Sequence, residues 1–237
     1  MQKINEKALV VFSGGQDSTT CLVWALKKFK EISAITFNYE QRHSVEIGCA
    51  KKIIKILNSK KELIIDWIYD KPTIEHLIVD ISFLSNLLQT AMIQNLKIEY
   101  DKETGLPTTF VPGRNILFLT IAAGYAYQQK IRHIVAGVCQ TDYSGYPDCR
   151  DATIKSLQGT LRLGLDYDLI IHTPLMWKNK AETIRLMQKL GGFDLYKYTH
   201  TCYNGERPAC GECFACKLRL AAFNEIGLKD PLEYQSR

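Results

Sequence analysis

Five short runs of mainly apolar, often β-branched residues recur along the chain, at residues 8–12 (ALVVF), 32–39 (ISAITFNY), 62–67 (ELIIDW), 133–138 (HIVAGV) and 169–175 (LIIHTPL). Between them, apolar positions return every three to four residues. The first interval predicts a helix from about Asp17, with Leu22, Ala25, Leu26 and Phe29 on one face. The second predicts a helix carrying Ala50, Ile53, Ile54 and Leu57. Further helices are predicted over 115–130, 151–165 and 179–191, the last stopped by Gly191 and Gly192. Residues 71–109 hold no sustained period and are expected to form short helices and a loop.

Apolar runs alternating with helical intervals predict an α/β fold: a Rossmann-like, five-stranded parallel sheet with helices on both faces. Ligands of such sheets sit beyond the carboxyl ends of the strands. The polar stretches SGGQDS, NYEQRH and CQTDYSGYPDCR follow three of the runs and are expected to converge there. The chain divides into a domain over 1–200 and a C-terminal segment over 201–237 that has no strand pattern.

The chain has 237 residues, 46% hydrophobic and 23% charged, with a net charge of +5. That composition suits a single large core. Its lysines are scattered along helix faces rather than gathered into a run, so neither a nucleic-acid interface nor a membrane surface is expected. No secretory leader and no membrane-length apolar run is legible, which makes the cytoplasm the expected compartment.

Ser13, Gly14 and Gly15 end the first run and open the first helix. A glycine turn at a helix N-terminus leaves backbone N–H groups unpaired and aimed at one point, a cradle for an oxyanion such as pyrophosphate. Ser13, Ser18 and Thr19 add hydroxyl donors. Asp17 suits such a site if Mg²⁺ bridges it to phosphate. The plainer alternative is a helix cap by Ser13 or Asp17.

Cys202, Cys210, Cys213 and Cys216 follow the spacing C-x7-C-x2-C-x2-C, a closed tetrahedral set for one structural Zn²⁺. An iron–sulfur cluster would suit the same thiolates. Cys21, Cys49, Cys139 and Cys149 lack ligand spacing.

The string SGGQDS resembles the PP-loop of the adenine nucleotide α-hydrolase-like superfamily, whose members cleave ATP between its α- and β-phosphates. Together with QRH, TFVPGRNILFLT, GVCQTDYSGYPDCRD, TPLMWKNKAET and the cysteine cluster, the chain resembles the 7-cyano-7-deazaguanine synthase family of queuosine biosynthesis. These strings extend over residues 10–223. One departure is Glu40, where the family commonly has glycine.

The resemblance implies a ligase that adenylates 7-carboxy-7-deazaguanine, admits ammonia to give an amide, then uses a second ATP to leave the nitrile. It implies ATP contacts from Phe12, Ser13, Gly14, Gly15, Gln16, Asp17, Ser18, Thr19, Thr20, Cys21 and Leu22. Arg114 and Lys180 are the candidates for phosphate charge, Arg42 for the substrate carboxylate and His43 for a base or a helix cap. Asp142 or Asp148 suits the N–H edge of the deazapurine, with Tyr143 or Tyr146 stacking on it and Arg150 in the same loop. A homodimer is also implied. Two other readings share the PP-loop: a tRNA-modifying enzyme and a non-catalytic ATP-binding sensor.

Overall fold

The first apolar run forms β1, Ile4–Val11, and the chain turns at Ser13–Gly15 into α1, Gln16–Lys28. In a computed structural model, residues 3–39, 44–59, 73–88, 90, 99–141 and 145–235 are described. The chain continues through β2 (Phe29–Asn38), α2 (Ser44–Asn58), β3 (Glu75–Asp80) and the short α3 (Leu84–Leu87). Then follow α4 (Arg114–Gln128), β4 (His133–Val135), α5 (Asp151–Leu165), β5 (Ile170–His172), α6 (Lys180–Lys189) and α7 (Phe214–Glu225).

The strands form one sheet in the order β3-β2-β1-β4-β5, and each neighbouring pair is parallel. Successive residues of β1 serve opposite faces. Ala8 and Val10 pack with Leu22, Leu26, Ile53 and Phe223, which come from α1, α2 and α7. Leu9 packs with Leu119, Ala123, Ile154 and Leu161 from α4 and α5. This two-sided burial explains the unbroken apolar runs. The order reverses between β1 and β4, so their carboxyl ends leave a crevice between them.

Two elements differ from the sequence pattern. The run at 62–67 lies outside the described residues. The third strand is instead Glu75–Asp80, inside the stretch expected to be short helices and a loop. It stands at the sheet edge, where His76, Leu77, Ile78 and Val79 are only half-buried. Phe29, expected on the face of α1, begins β2 and remains fully buried. No helix among the described residues is long and apolar enough to cross a membrane.

A buried ion pair ties the C-terminal segment down. The Arg219 guanidinium on α7 donates twice to the Asp230 carboxylate, at 2.6 and 2.8 Å, and also to Thr199 Oγ1 at 2.8 Å. Tyr234 Oη and the Leu232 N–H complete the carboxylate's partners. Arg219 and Asp230 are almost wholly shielded from water. Asp230→Ala is expected to cost about 3–5 kcal/mol, because it strands a buried guanidinium. The midpoint of urea unfolding measures this, and an unchanged midpoint would refute it.

Candidate active site

Gly14 adopts a left-handed backbone, φ +87°, and a Cβ there would lie 2.5 Å from the Glu46 carbonyl and 2.6 Å from the Ala50 nitrogen. Only glycine fits, and α2 is therefore packed directly on the loop. Gly15 caps α1 with no side-chain cap bond, so the first-turn N–H groups point outward at the loop. Ser13 and Ser18 brace the turn: their hydroxyls lie 3.1 Å apart, and Ser13 Oγ accepts from the Gly15 N–H at 3.2 Å. Asp17 does not cap the helix. Its Oδ2 accepts from Lys180 Nζ at 2.5 Å, and its Oδ1 is buried without a partner.

Above the loop lies a cavity of about 320 Å³. Phe12, Ser13, Gly15, Gln16, Asp17 and Ser18 form its base, and Arg114, Tyr146 and Lys180 its walls. Gly14 stands behind the loop against α2. Thr19, Thr20, Cys21 and Leu22 turn into the core instead: Thr19 Oγ1 donates to the Gly15 carbonyl and Thr20 Oγ1 meets Tyr196 Oη at 2.8 Å. Burial raises the Cys21 thiol well above its ordinary range.

Arg114 opens α4, and its Nη1 donates to Tyr39 Oη at 3.1 Å. Its Nε is buried and unpartnered. Burial works against the charge, but Tyr39, Tyr146, Asp148 and Cys149 outweigh it and hold the guanidinium above its usual range. Tyr146 Oη pairs with Thr109 Oγ1 at 2.7 Å. Asp148 is 3% exposed and does not line the cavity; its Oδ2 accepts the Asn115 N–H at 2.9 Å, at the start of α4. Arg150 is exposed at the cap of α5. Arg42, His43, Asp142, Tyr143 and Glu40 lie outside the described residues.

Several wall residues carried no signal in the sequence, among them Tyr39, Glu46, Thr201, Tyr203 and Phe214. Glu46, on the first turn of α2, sends its carboxyl to the glycine loop: Oε1 lies 3.8 Å from where a Gly15 Cβ would be. It lines the cavity with Tyr39 and Arg114. Burial pushes its carboxyl up to about 8, against the opposing pull of Arg114. A glutamate early in a helix ordinarily signals only the helix dipole, so nothing in the linear pattern set it apart.

The Sγ atoms of Cys202, Cys210, Cys213 and Cys216 all lie within 4.8 Å of one another. The Cys202–Cys210 and Cys210–Cys216 separations are 3.5 and 3.9 Å. A tetrahedral zinc with ~2.3 Å bonds requires about 3.8 Å, so the set fits. Backbone N–H groups of Tyr203 and Cys213 point at Cys213 Sγ and Cys210 Sγ. A hydrogen bond between Cys216 and Cys213 lowers the Cys213 thiol and raises that of Cys216, so the two share a proton until a metal displaces it. This segment also reaches the cavity, through Thr201, Tyr203 and Phe214.

The model of the family described as "Queuosine biosynthesis protein QueC" matches residues 7–227. A protein of Chromobacterium violaceum named 7-cyano-7-deazaguanine synthase is 48% identical over 233 residues, covering 98% of this chain and 94% of its own. A Staphylococcus epidermidis protein of the same name is 53% identical, over 97% of this chain and 95% of its own. Among solved structures, a 4-thiouridine synthetase in complex with RNA and bound ATP superposes with a TM-score of 0.51 at 15% identity, over 85% of this chain and 46% of that one. That likeness bears on the fold alone. By the span of the family match and the identity to these relatives, the chain belongs to the QueC family of queuosine biosynthesis proteins.

Proposed function

We propose that the protein converts 7-carboxy-7-deazaguanine to 7-cyano-7-deazaguanine with ammonia and two ATP. The observation that carries this is the convergence of the glycine loop, Arg114 and Tyr146 on one cavity, in a chain about half identical to proteins named for that product.

The chemistry asks for two activations of the same carbon. A carboxylate oxygen attacks the α-phosphorus of ATP, and pyrophosphate leaves. Ammonia then attacks the acyl carbon, the C–O bond breaks with its electron pair on AMP, and one nitrogen proton goes to solvent. The amide oxygen is adenylated in turn, and loss of AMP and the remaining protons gives the nitrile. The protein's share is alignment and stabilisation of phosphate charge. The N–H groups at the start of α1 receive pyrophosphate, with Arg114 and Lys180 facing the developing charge. Mg²⁺, when bound with ATP, neutralises phosphate charge, and the unpartnered Asp17 Oδ1 is the oxygen suited to hold it. Tyr146 offers a ring to the deazapurine. Asp148 acts from behind, fixing the start of α4 and so Arg114. Arg42, His43, Asp142 and Tyr143 are proposed as further substrate contacts.

Glu46 is proposed as a neutral donor to the departing pyrophosphate, since its carboxyl keeps its proton at pH 7 beside the loop. Zinc at the four cysteines would fix the shape of the 201–237 segment, and with it the part of the cavity wall that Tyr203 and Phe214 form. We place the enzyme in the cytoplasm as a homodimer acting on small molecules, without a nucleic-acid partner; the scattered lysines support the last point.

Incubating the protein with ATP, Mg²⁺, ammonium and the carboxylic acid should yield AMP and the nitrile by mass spectrometry. Acid-independent AMP, or none, would sink the proposal. Glu46 faces Arg114, Tyr39 and Cys49. Its proton is needed, so kcat/KM should fall as pH rises through about 8, and Glu46→Gln, which keeps a donor, should stay active beyond that pH. The same shift bears on folding. Between its ordinary 4.5 and about 8 the folded state holds a proton that the unfolded chain has lost, so stability declines with rising pH. Glu46→Gln should flatten that slope in thermal unfolding; an inactive variant at every pH would mark Glu46 as a base instead. Metal analysis should find one zinc per chain. Chelation should lower the thermal midpoint and weaken ATP binding together, because Thr201, Tyr203 and Phe214 wall the cavity.

A further inference from the structure

A second cavity, of about 250 Å³, adjoins the first. The two share Asp17, Cys139, Lys180 and Leu218 as a common wall. Buried Leu175, Ala181 and Ala222 line the second cavity's depth, and exposed Thr141, Asn179, Ala221 and Glu225 stand at its rim. It therefore reaches from the surface to the Asp17–Lys180 ion pair.

We propose that this passage is the port by which ammonia reaches the activated carbon. The inference rests on the reaction given above. Three features carry it. The first cavity must hold both ATP and a bicyclic acid in line for attack, which takes up the space among its described lining residues. The second cavity ends beside the phosphate-bearing loop, at the residue proposed to hold the cation. Its lining matches a small polar molecule that is shedding charge. At the rim the Glu225 carboxylate attracts ammonium. Deeper in, the Lys178 carbonyl is already satisfied by Thr141 Oγ1 at 2.7 Å and Cys139 Sγ at 3.1 Å, so it gives a passing molecule no strong hold. Further in, the apolar Leu175, Ala181, Leu218 and Ala222 disfavour a charged guest, and the Asp17 carboxylate at the inner end is already paired with Lys180. Ammonium therefore leaves its proton with bulk water at the mouth, and neutral ammonia, the nucleophilic form, passes. It forms the N–C bond as the C–O bond to AMP breaks.

Two bulky variants at the exposed rim test the port, Ala221→Trp and Glu225→Trp. Each should raise KM for ammonium about tenfold while kcat at saturating ammonium and KM for ATP and for the acid stay within about twofold. Acid-dependent exchange of pyrophosphate into ATP, measured without ammonium, reports the first activation and the integrity of the fold, and should be unchanged. A wild-type KM for ammonium in both variants overturns the port. So does a parallel rise in KM for ATP or the acid. Should the wild-type protein make no nitrile at all, the reaction itself is refuted; nitrile formation with an unaltered ammonium dependence in the variants refutes the port alone.

Discussion

The Arg219–Asp230 ion pair, shut away from water, is the contact on which the rest of the site depends. Left unpaired, either charge would be costly in that surrounding. The pair fixes α7 to the terminal segment, and Arg219 extends the connection to Thr199 and the Tyr196 carbonyl. Tyr196 carries it further, since its hydroxyl meets Thr20 on α1. A continuous line of polar contacts thus runs from the cysteine segment to the helix that begins at the glycine loop. It holds two parts of the chain, distant in sequence, in the register that closes one cavity.

Much of this architecture was legible because local chemistry encodes it. The limits of α5 agree with the periodic pattern at both ends, and the four cysteines meet because their spacing alone allows it. The glycine turn was recognisable from its position between a strand and a helix. What escaped the sequence depends on packing across the fold. Glu46 acquires its character only because α2 lies against Gly14 and excludes water. Asp148 looks like a ligand for a base edge, yet the turn at Pro147–Cys149 buries it against the start of α4. Thr19, Thr20, Cys21 and Leu22 belong to the motif in sequence, but the helix has by then turned them into the core. Strand β3 was hidden because its Leu77-Ile78-Val79 run is too short to be told from a piece of helix by periodicity.

The cavity also bears on why one site suffices for two activations. Both oxygens that take the adenylyl group hang on the same exocyclic carbon. In the proposed reaction, a base held against Tyr146 need not move between stages; the nucleotide is replaced while the carbon stays in front of the loop. Arg114, charged at every working pH, offers the same countercharge each time. Lys180 stands in a different position, because its pairing with Asp17 competes with any cation arriving there. In the proposed site, occupancy by nucleotide and the state of that ion pair are therefore linked.

The close seat of α2 on Gly14 has one more consequence. The loop has no room to shift unless the helix shifts with it, so its shape is inherited from Ala50, Ile53 and Ile54 in the core. Warming that loosens this helix would be felt first as poorer grip on nucleotide, well before the sheet comes apart.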